Sequence, residues 1–203
     1  QGFVPAVGSA AKLPTSDTVW TAPQDAVLGE GKPVTLAWDN GEGLIFTRTI
    51  SISDAYVFTI TQTVENKTAA PVTLTPYARI VRQDTPAIAG YWVFFEGMLG
   101  VSGSSLSEVH YSDAIEATEP AKTEGTGGWL GFTDKYWAAV LIPDQSKLVV
   151  SSYDHDKLAN RDVYNTNYVT KDAISVPAGG TATYQDQFFA GAKVVKSIDA
   201  IGD

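Results

Sequence analysis

From residue 34 onward the chain alternates apolar and polar side chains with a period of two, the pattern of strands that bury one face. Residues 56–64 set Phe58, Ile60 and Val64 against Thr59, Thr61 and Thr63. The β-rich runs 34–38 and 44–52 flank Asp39-Asn-Gly-Glu-Gly43, an Asn-Gly turn between alternating segments and therefore a hairpin. Residues 56–64 are expected to pair with 72–81 across a loop carrying Asn66 and Pro71. Pro76 has no N–H for a ladder, which predicts an edge or a bulge at that point. Further strands are expected at 91–96, 107–111, 129–132, 136–142, 148–152, 164–170, 173–176 and 181–189, with Gly179-Gly180 turning between the last two. Helix signals are scarce; only 190–201 suits a helical turn, and Gly191 weakens it. Many short strands joined by Gly, Pro and Asn loops predict an all-β, antiparallel sandwich over 19–189. Residues 1–18 read as an N-terminal loop or truncated start, 118–128 as a surface loop, and 190–203 as a C-terminal helical turn or linker.

Size and charge then narrow the function classes. A chain of 203 residues buries roughly 70% of its unfolded surface and needs no covalent staples. With 23 acidic against 14 basic residues the net charge is −9, a surface that repels a phosphate backbone, so no nucleic-acid partner is expected. The absence of cysteine removes thiol catalysis, Cys-ligated zinc and iron–sulfur clusters without naming a compartment. The densest apolar runs, 91–95 and 137–142, fall far short of the ~20 residues that cross a bilayer and suit buried strands. Gln1 is not an initiator methionine, and the start is expected to be a processing boundary.

Candidate chemistry is thin. Asp154-His155-Asp156 places carboxylates beside an imidazole, yet strand neighbours face opposite ways and Lys157, Asn160 and Arg161 follow, so a solvated polar loop is expected. His110 reads as a solvated or edge-of-core histidine, without a second histidine or a nucleophile elbow. The glycine-rich stretch 97–103 lacks a phosphate-loop lysine and reads as a loop. Asn66-Lys67-Thr68 matches a glycosylation acceptor only formally. Most aromatic residues, including Phe58, Phe94, Trp137 and Phe189, sit inside strand patterns and are expected in the core. Trp20, Trp38 and Trp129 border loops and are the candidates for a ligand face.

The segment Gly127-Gly-Trp-Leu-Gly-Phe-Thr-Asp-Lys-Tyr-Trp-Ala-Ala-Val-Leu-Ile-Pro143 resembles the periplasmic region of the YidC family of bacterial membrane protein insertases, a branch of the Oxa-type insertases. Trp38-Asp-Asn-Gly-Glu-Gly-Leu-Ile-Phe-Thr-Arg48, Gln62-Thr-Val-Glu-Asn-Lys-Thr68 and Phe188-Phe-Ala-Gly-Ala-Lys193 agree with it in the family's order. The resemblance implies a β-supersandwich similar to galactose-mutarotase-like proteins, lying between a first transmembrane helix and a later bundle that performs insertion. It implies a non-catalytic docking or scaffold domain on the periplasmic side of the Gram-negative inner membrane, membrane-tethered in the full-length protein. Its implied partners are Sec translocon accessory subunits and nascent membrane proteins, and it calls for no cofactor, metal or catalytic residue. The interaction segment toward the membrane would carry Phe188, Phe189, Gly191, Lys193 and Lys196. The family's intramembrane groove and its basic residue lie in helices outside this sequence. The family also has strands ahead of the point matching Gln1, which implies an open edge and either a trimmed sandwich or a homodimer.

Two other classes compete with docking. A carbohydrate- or peptide-binding β-sandwich rests on the fold analogy and the three loop-border tryptophans. An aldose epimerase-like enzyme would need a carboxylate base and histidine acids in one cleft, which two histidines distant in sequence do not favour.

Overall fold

A computed structural model of the chain describes residues 1–6, 9–87 and 95–193. The alternating segments become β1 (Gly2–Pro5), β2 (Val34–Asp39), β3 (Leu44–Ile52), β4 (Val57–Asn66), β5 (Val72–Gln83), β6 (Gly97–Ser102) and β7 (Ser105–Val109). After α1 (Tyr111–Glu116) come β8 (Ala121–Thr126), β9 (Gly128–Thr133), β10 (Trp137–Ile142), β11 (Leu148–Leu158), β12 (Arg161–Thr170), β13 (Ile174–Val176) and β14 (Thr181–Ala192). They form two antiparallel sheets. The smaller has the order β1-β5-β12-β11-β8, with β13 also on β5; the larger runs β2-β3-β4-β14-β10-β9-β6-β7. This is an antiparallel β-supersandwich.

The two inner faces close on one core. Phe46, Val64, Leu130 and Leu141 from the larger sheet meet Leu74, Ala78, Tyr164 and Tyr168 from the smaller. The Asn-Gly hairpin forms as its residues dictate: Asn40 Oδ1 accepts from the backbone N–H of Glu42 at 2.7 Å and of Leu44 at 3.0 Å, and Gly41 and Gly43 take positive φ. Asn66 is fully buried at the end of β4. Its Nδ2 donates to Ala70 O and Val176 O and its Oδ1 accepts from Thr68, so this residue locks the β4–β5 loop and is no surface glycan acceptor.

Several expectations are corrected by tertiary pairing: β4 does not pair with β5, which lies in the other sheet, but with β3 and β14, because the loop at Asn66 crosses between the sheets. The stretch 97–103 is not a loop, because its glycines serve close packing: a Cβ on Gly100 would lie 2.1 Å from Tyr153 Oη, and β6 pairs with both β7 and β9. Within 118–128, β8 pairs with β11, its exposed Lys122 and Glu124 forming the charged face of an edge strand. The 107–111 strand stops at Val109, and Tyr111 and Ala114 turn one buried face of α1 inward. The N-terminal segment is not all loop, since β1 pairs with residues 74–77 of β5. Pro76 lies inside a sheet rather than at its edge; the opposite side of β5 changes partner around it, from β12 on Tyr77–Gln83 to β13 on residues 72–74, where an N–H is not required. β11 extends to Leu158 and carries Asp154, His155 and Asp156 within a strand, because β12 pairs with it along that length. Residues 190–192 continue β14 against β10. The rest of the expected C-terminal helix from 194, Lys196, and most of the 91–96 strand lie outside the described residues.

Gly131 lies between β10 and β6, where a Cβ would stand 2.0 Å from Ala139 O. Gly131→Ala is expected to cost about 1–3 kcal/mol in urea denaturation, whereas Gly29→Ala, with nothing within 4 Å, changes stability by less than about 0.5 kcal/mol. Equal midpoints for the two variants would contradict the close backbone approach in the larger sheet.

Candidate docking cleft

Along one edge of β5 the pairing with β1 ends at Tyr77, opposite Gly2. Arg79, Ile80 and Val81 of β5, Leu141 of β10, Phe188 of β14 and Gln1 line a depression of about 310 Å³, with Ile80 on the inward parity of β5. Leu141 and Phe188 are register partners, so adjacent strands of the larger sheet supply its apolar wall. Phe58 supports Phe188 from β4, with ring centroids 6.0 Å apart. A second depression of about 310 Å³ lies at the β10–β11 turn, lined by Ile142, Pro143, Asp144, Gln145, Gln185, Asp186 and Gln187.

A buried polar cluster joins the two depressions. Asp186 of β14 is 2% exposed. One of its oxygens accepts from the hydroxyl of Tyr168 on β12, and the other from Gln1 Nε2 at 3.0 Å. Tyr184 Oη donates to Tyr168 Oη at 3.3 Å. Arg48 of β3 reaches Gln1 O at 2.7 Å and Gln62 Oε1 of β4 at 3.2 Å, and its guanidinium lies 4.9 Å from the Trp20 ring. Arg48, Gln62 and Tyr184 are cross-strand neighbours in one row of the larger sheet. Burial pushes Asp186 up to about 6, against the hydrogen bonds from Tyr168 and Gln1 and the charge of Arg48, which pull it down. Burial, reinforced by the Asp186 carboxylate, drives the Tyr168 hydroxyl far above the ordinary tyrosine range and keeps it a donor.

The loop-border tryptophans do not converge. Trp20 and Trp38 pack against the main core, Trp38 on Phe46 with centroids 5.6 Å apart. Trp129 packs on the opposite side of the larger sheet, against the cluster of Ala55, Val57, Val140, Ile142 and Phe189. Of the expected C-terminal segment, Phe188 enters the cleft, Phe189 is buried in that outer cluster, and a Cβ on Gly191 would meet the Phe189 ring at 3.3 Å. Lys193 Nζ donates to Thr133 Oγ1 at 2.9 Å. His155 is tied to Asp162 at 2.9 Å and stacks near Tyr164, and His110 precedes α1 against Phe95, 5.0 Å between centroids. The two histidines therefore have structural partners away from the cleft. Among the described residues no group of three His, Cys, Asp or Glu side chains is arranged to hold a metal ion. No described helix is long and apolar enough to cross a membrane.

Sequence reasoning passed over Asp186, Tyr168, Tyr184, Arg48 and Gln62. A signal existed in the alternation: Gln62 occupies the inward parity of Phe58, Ile60 and Val64, and Asp186 that of Tyr184 and Phe188. A polar residue at a core position demands a buried partner.

Comparison with known proteins gives consistent results. A family model described as the YidC periplasmic domain matches residues 1–203. A membrane protein insertase YidC of Nitrobacter hamburgensis is 42% identical over 192 residues, covering 95% of this chain and 31% of that protein. The corresponding protein of Beijerinckia indica subsp. indica is 44% identical over 200 residues, covering 98% and 33%. The chain thus spans about a third of the length of these relatives. Among solved structures, the galactosidase domain of an alpha-galactosidase–sucrose kinase aligns with a TM-score of 0.53 at 8% identity, over 83% of this chain and 25% of that one, a likeness of fold alone.

Asp186 titrates at about 6 folded and near 3.9 unfolded. The folded state holds the proton more tightly, so this stabilisation is full below about pH 4 and lost as pH rises through about 6. Asp186→Asn is expected to gain roughly 2 kcal/mol on the parent protein between pH 4 and pH 7, read from urea midpoints at each pH. A pH-independent difference between the two would show that Asp186 is not held as a buried carboxyl.

Proposed function

The chain belongs to the YidC periplasmic domain family, and from that premise we propose that it is a non-catalytic docking and scaffold domain on the periplasmic face of the Gram-negative inner membrane. In this reading the full-length protein assists insertion and folding of membrane proteins, alone or beside the Sec translocon. The domain offers its cleft to extended segments of Sec accessory subunits or nascent membrane proteins. The observation that carries the reading is the depression of about 310 Å³ lined by Gln1, Arg79, Ile80, Val81, Leu141 and Phe188, with apolar side chains on both sides. An extended segment laid in this depression can seat alternate side chains against Ile80, Leu141 and Phe188. A non-catalytic role is supported by the relatives' names as insertases, and by Asp186 spending its hydrogen bonds on Tyr168 and Gln1.

The test is photo-crosslinking in the full-length protein. A photoreactive amino acid at Val81 is expected to trap a Sec accessory subunit or a nascent membrane protein, and the same probe at the exposed Leu106 of edge strand β7 to trap neither. Silence at Val81, together with saturable quenching of tryptophan fluorescence by a sugar below millimolar concentration, would replace docking by carbohydrate binding.

A further inference from the structure

One end of the larger sheet is built differently from the rest of the surface. Three turns and strand ends meet there: the β3–β4 turn ending at Tyr56, the β9–β10 turn from Asp134 to Trp137, and the last residues of β14. Ala190 N donates to Tyr56 O at 3.4 Å, Lys193 N to Tyr136 O at 2.8 Å, and Trp137 is the register partner of Ala192. These pairings hold Tyr56, Tyr136 and Trp137 along one tip, where they are 57%, 64% and 61% exposed. The charges around them are Lys135, whose Nζ lies 5.0 Å from the Tyr136 ring, Lys193, Arg82 in its ion pair with Asp134, and Asp54. Among the described residues Lys135, Lys193 and Arg82 share this tip with Asp54, Asp134 and, ahead of Gly97 on β6, Glu96, so this end lacks the acidic excess of a chain whose net charge is −9.

From this arrangement we infer that the Tyr56–Tyr136–Trp137 tip rests on the headgroup region of an anionic lipid bilayer. Tyr and Trp are the side chains that favour the membrane–water boundary, with an apolar ring and a polar handle. Lysines beside them are drawn to anionic headgroups, while an acidic remainder of the surface is repelled, and the pair of effects orients the domain. A depression of about 120 Å³ lies beside Trp137, lined also by Arg82, Phe132, Asp134, Ala138 and Ala139, but it is less than half the size of the cleft and the exposed rings of Tyr56 and Tyr136 stand outside it, which favours a surface as the occupant. The inference rests on the membrane-side placement under the docking reading, but it specifies a contact that reading does not require. Such a contact sets the β5 edge at a fixed height and direction above the bilayer.

The chain has no cysteine, so one introduced thiol gives one label. Tyr136→Cys carrying an environment-sensitive dye is compared with Ala178→Cys, placed just before β14 at its other end. Both proteins bear a C-terminal tag that tethers them to vesicles containing nickel-chelating lipid. With phosphatidylglycerol in the vesicles, the dye at 136 is expected to brighten, shift to the blue and be quenched by brominated lipid, and the dye at 178 to do none of these. Without the tether, Lys135→Gln combined with Lys193→Gln is expected to lower partitioning to these vesicles about tenfold. Because Lys193 also bonds Thr133, Trp137→Ser serves as a second variant that spares this bond and is expected to weaken partitioning too. Equal responses at 136 and 178, or no response at 136, would overturn the inference. So would a dye at 136 that stays in water on vesicles and is shielded only when a partner protein is added. Since no docking partner enters the vesicle measurement, its failure and a silent crosslink at Val81 are separate results.

Discussion

A carboxylate buried between two sheets has to be hydrogen-bonded from both, and that requirement fixes how the halves of this sandwich sit. Asp186 projects from β14, the strand that pairs with β4 on one side and β10 on the other. Its partners, Tyr168 and Gln1, belong to the opposite sheet or to the residue that leads into it. Sliding one sheet by a single residue would leave the carboxyl and two tyrosine hydroxyls unpaired and strip Arg48 of its bond to Gln1, in a medium where each orphan costs about 1–3 kcal/mol. Apolar contacts alone tolerate such slips far better. The polar row therefore selects one packing, while Phe46, Val64, Leu74 and Tyr164 supply most of the burial.

The same row explains why a cleft exists beside it. Gln1 is held by Asp186 and Arg48, so β1 is anchored where it meets β5. Gln1 thereby forms one wall of the depression whose other walls are Arg79, Ile80, Val81, Leu141 and Phe188. Other edges are handled differently. Thr21 exchanges backbone hydrogen bonds of 2.9 Å with Ala37 on β2, and β8 carries Lys122 and Glu124. Charge and covering at those edges discourage strand addition.

Features that depend on short-range chemistry were readable in the sequence. The Asp39–Gly43 turn and the alternation of 56–64 both follow from residues that act on their own neighbours. The family resemblance carried the supersandwich. Glycine was the main source of error, because one residue type serves both turns and close approaches; Gly97 and Gly100 lie in β6, whereas Gly41 turns a hairpin. β1 was hidden because four residues make a weak pattern and its partner lies about seventy positions away. Strand parity also marked Asp186 and Gln62 as inward-facing, but it holds no information on what stands across the gap. Trp20, Trp38 and Trp129 illustrate the same limit: their nearness to loops said nothing about which face of a sheet they cover.

Where main-chain bonds already define a turn, the side chains in it are released from the demands of folding. The β9–β10 turn is closed by Asp134 N to Trp137 O at 2.8 Å and braced by Lys193 N to Tyr136 O. Neither bond depends on an aromatic side chain at 136 or 137, and exposure of two such rings forfeits burial that a smaller polar residue would not seek. Phe189, three strand positions before Ala192, shows the contrast, since it is fully buried and cannot be spared from its cluster. Recognition groups on turns held by a rigid scaffold keep their position without weakening the core. The polar row and the apolar core thus carry the stability, and the cleft and the aromatic tip are left to meet other molecules.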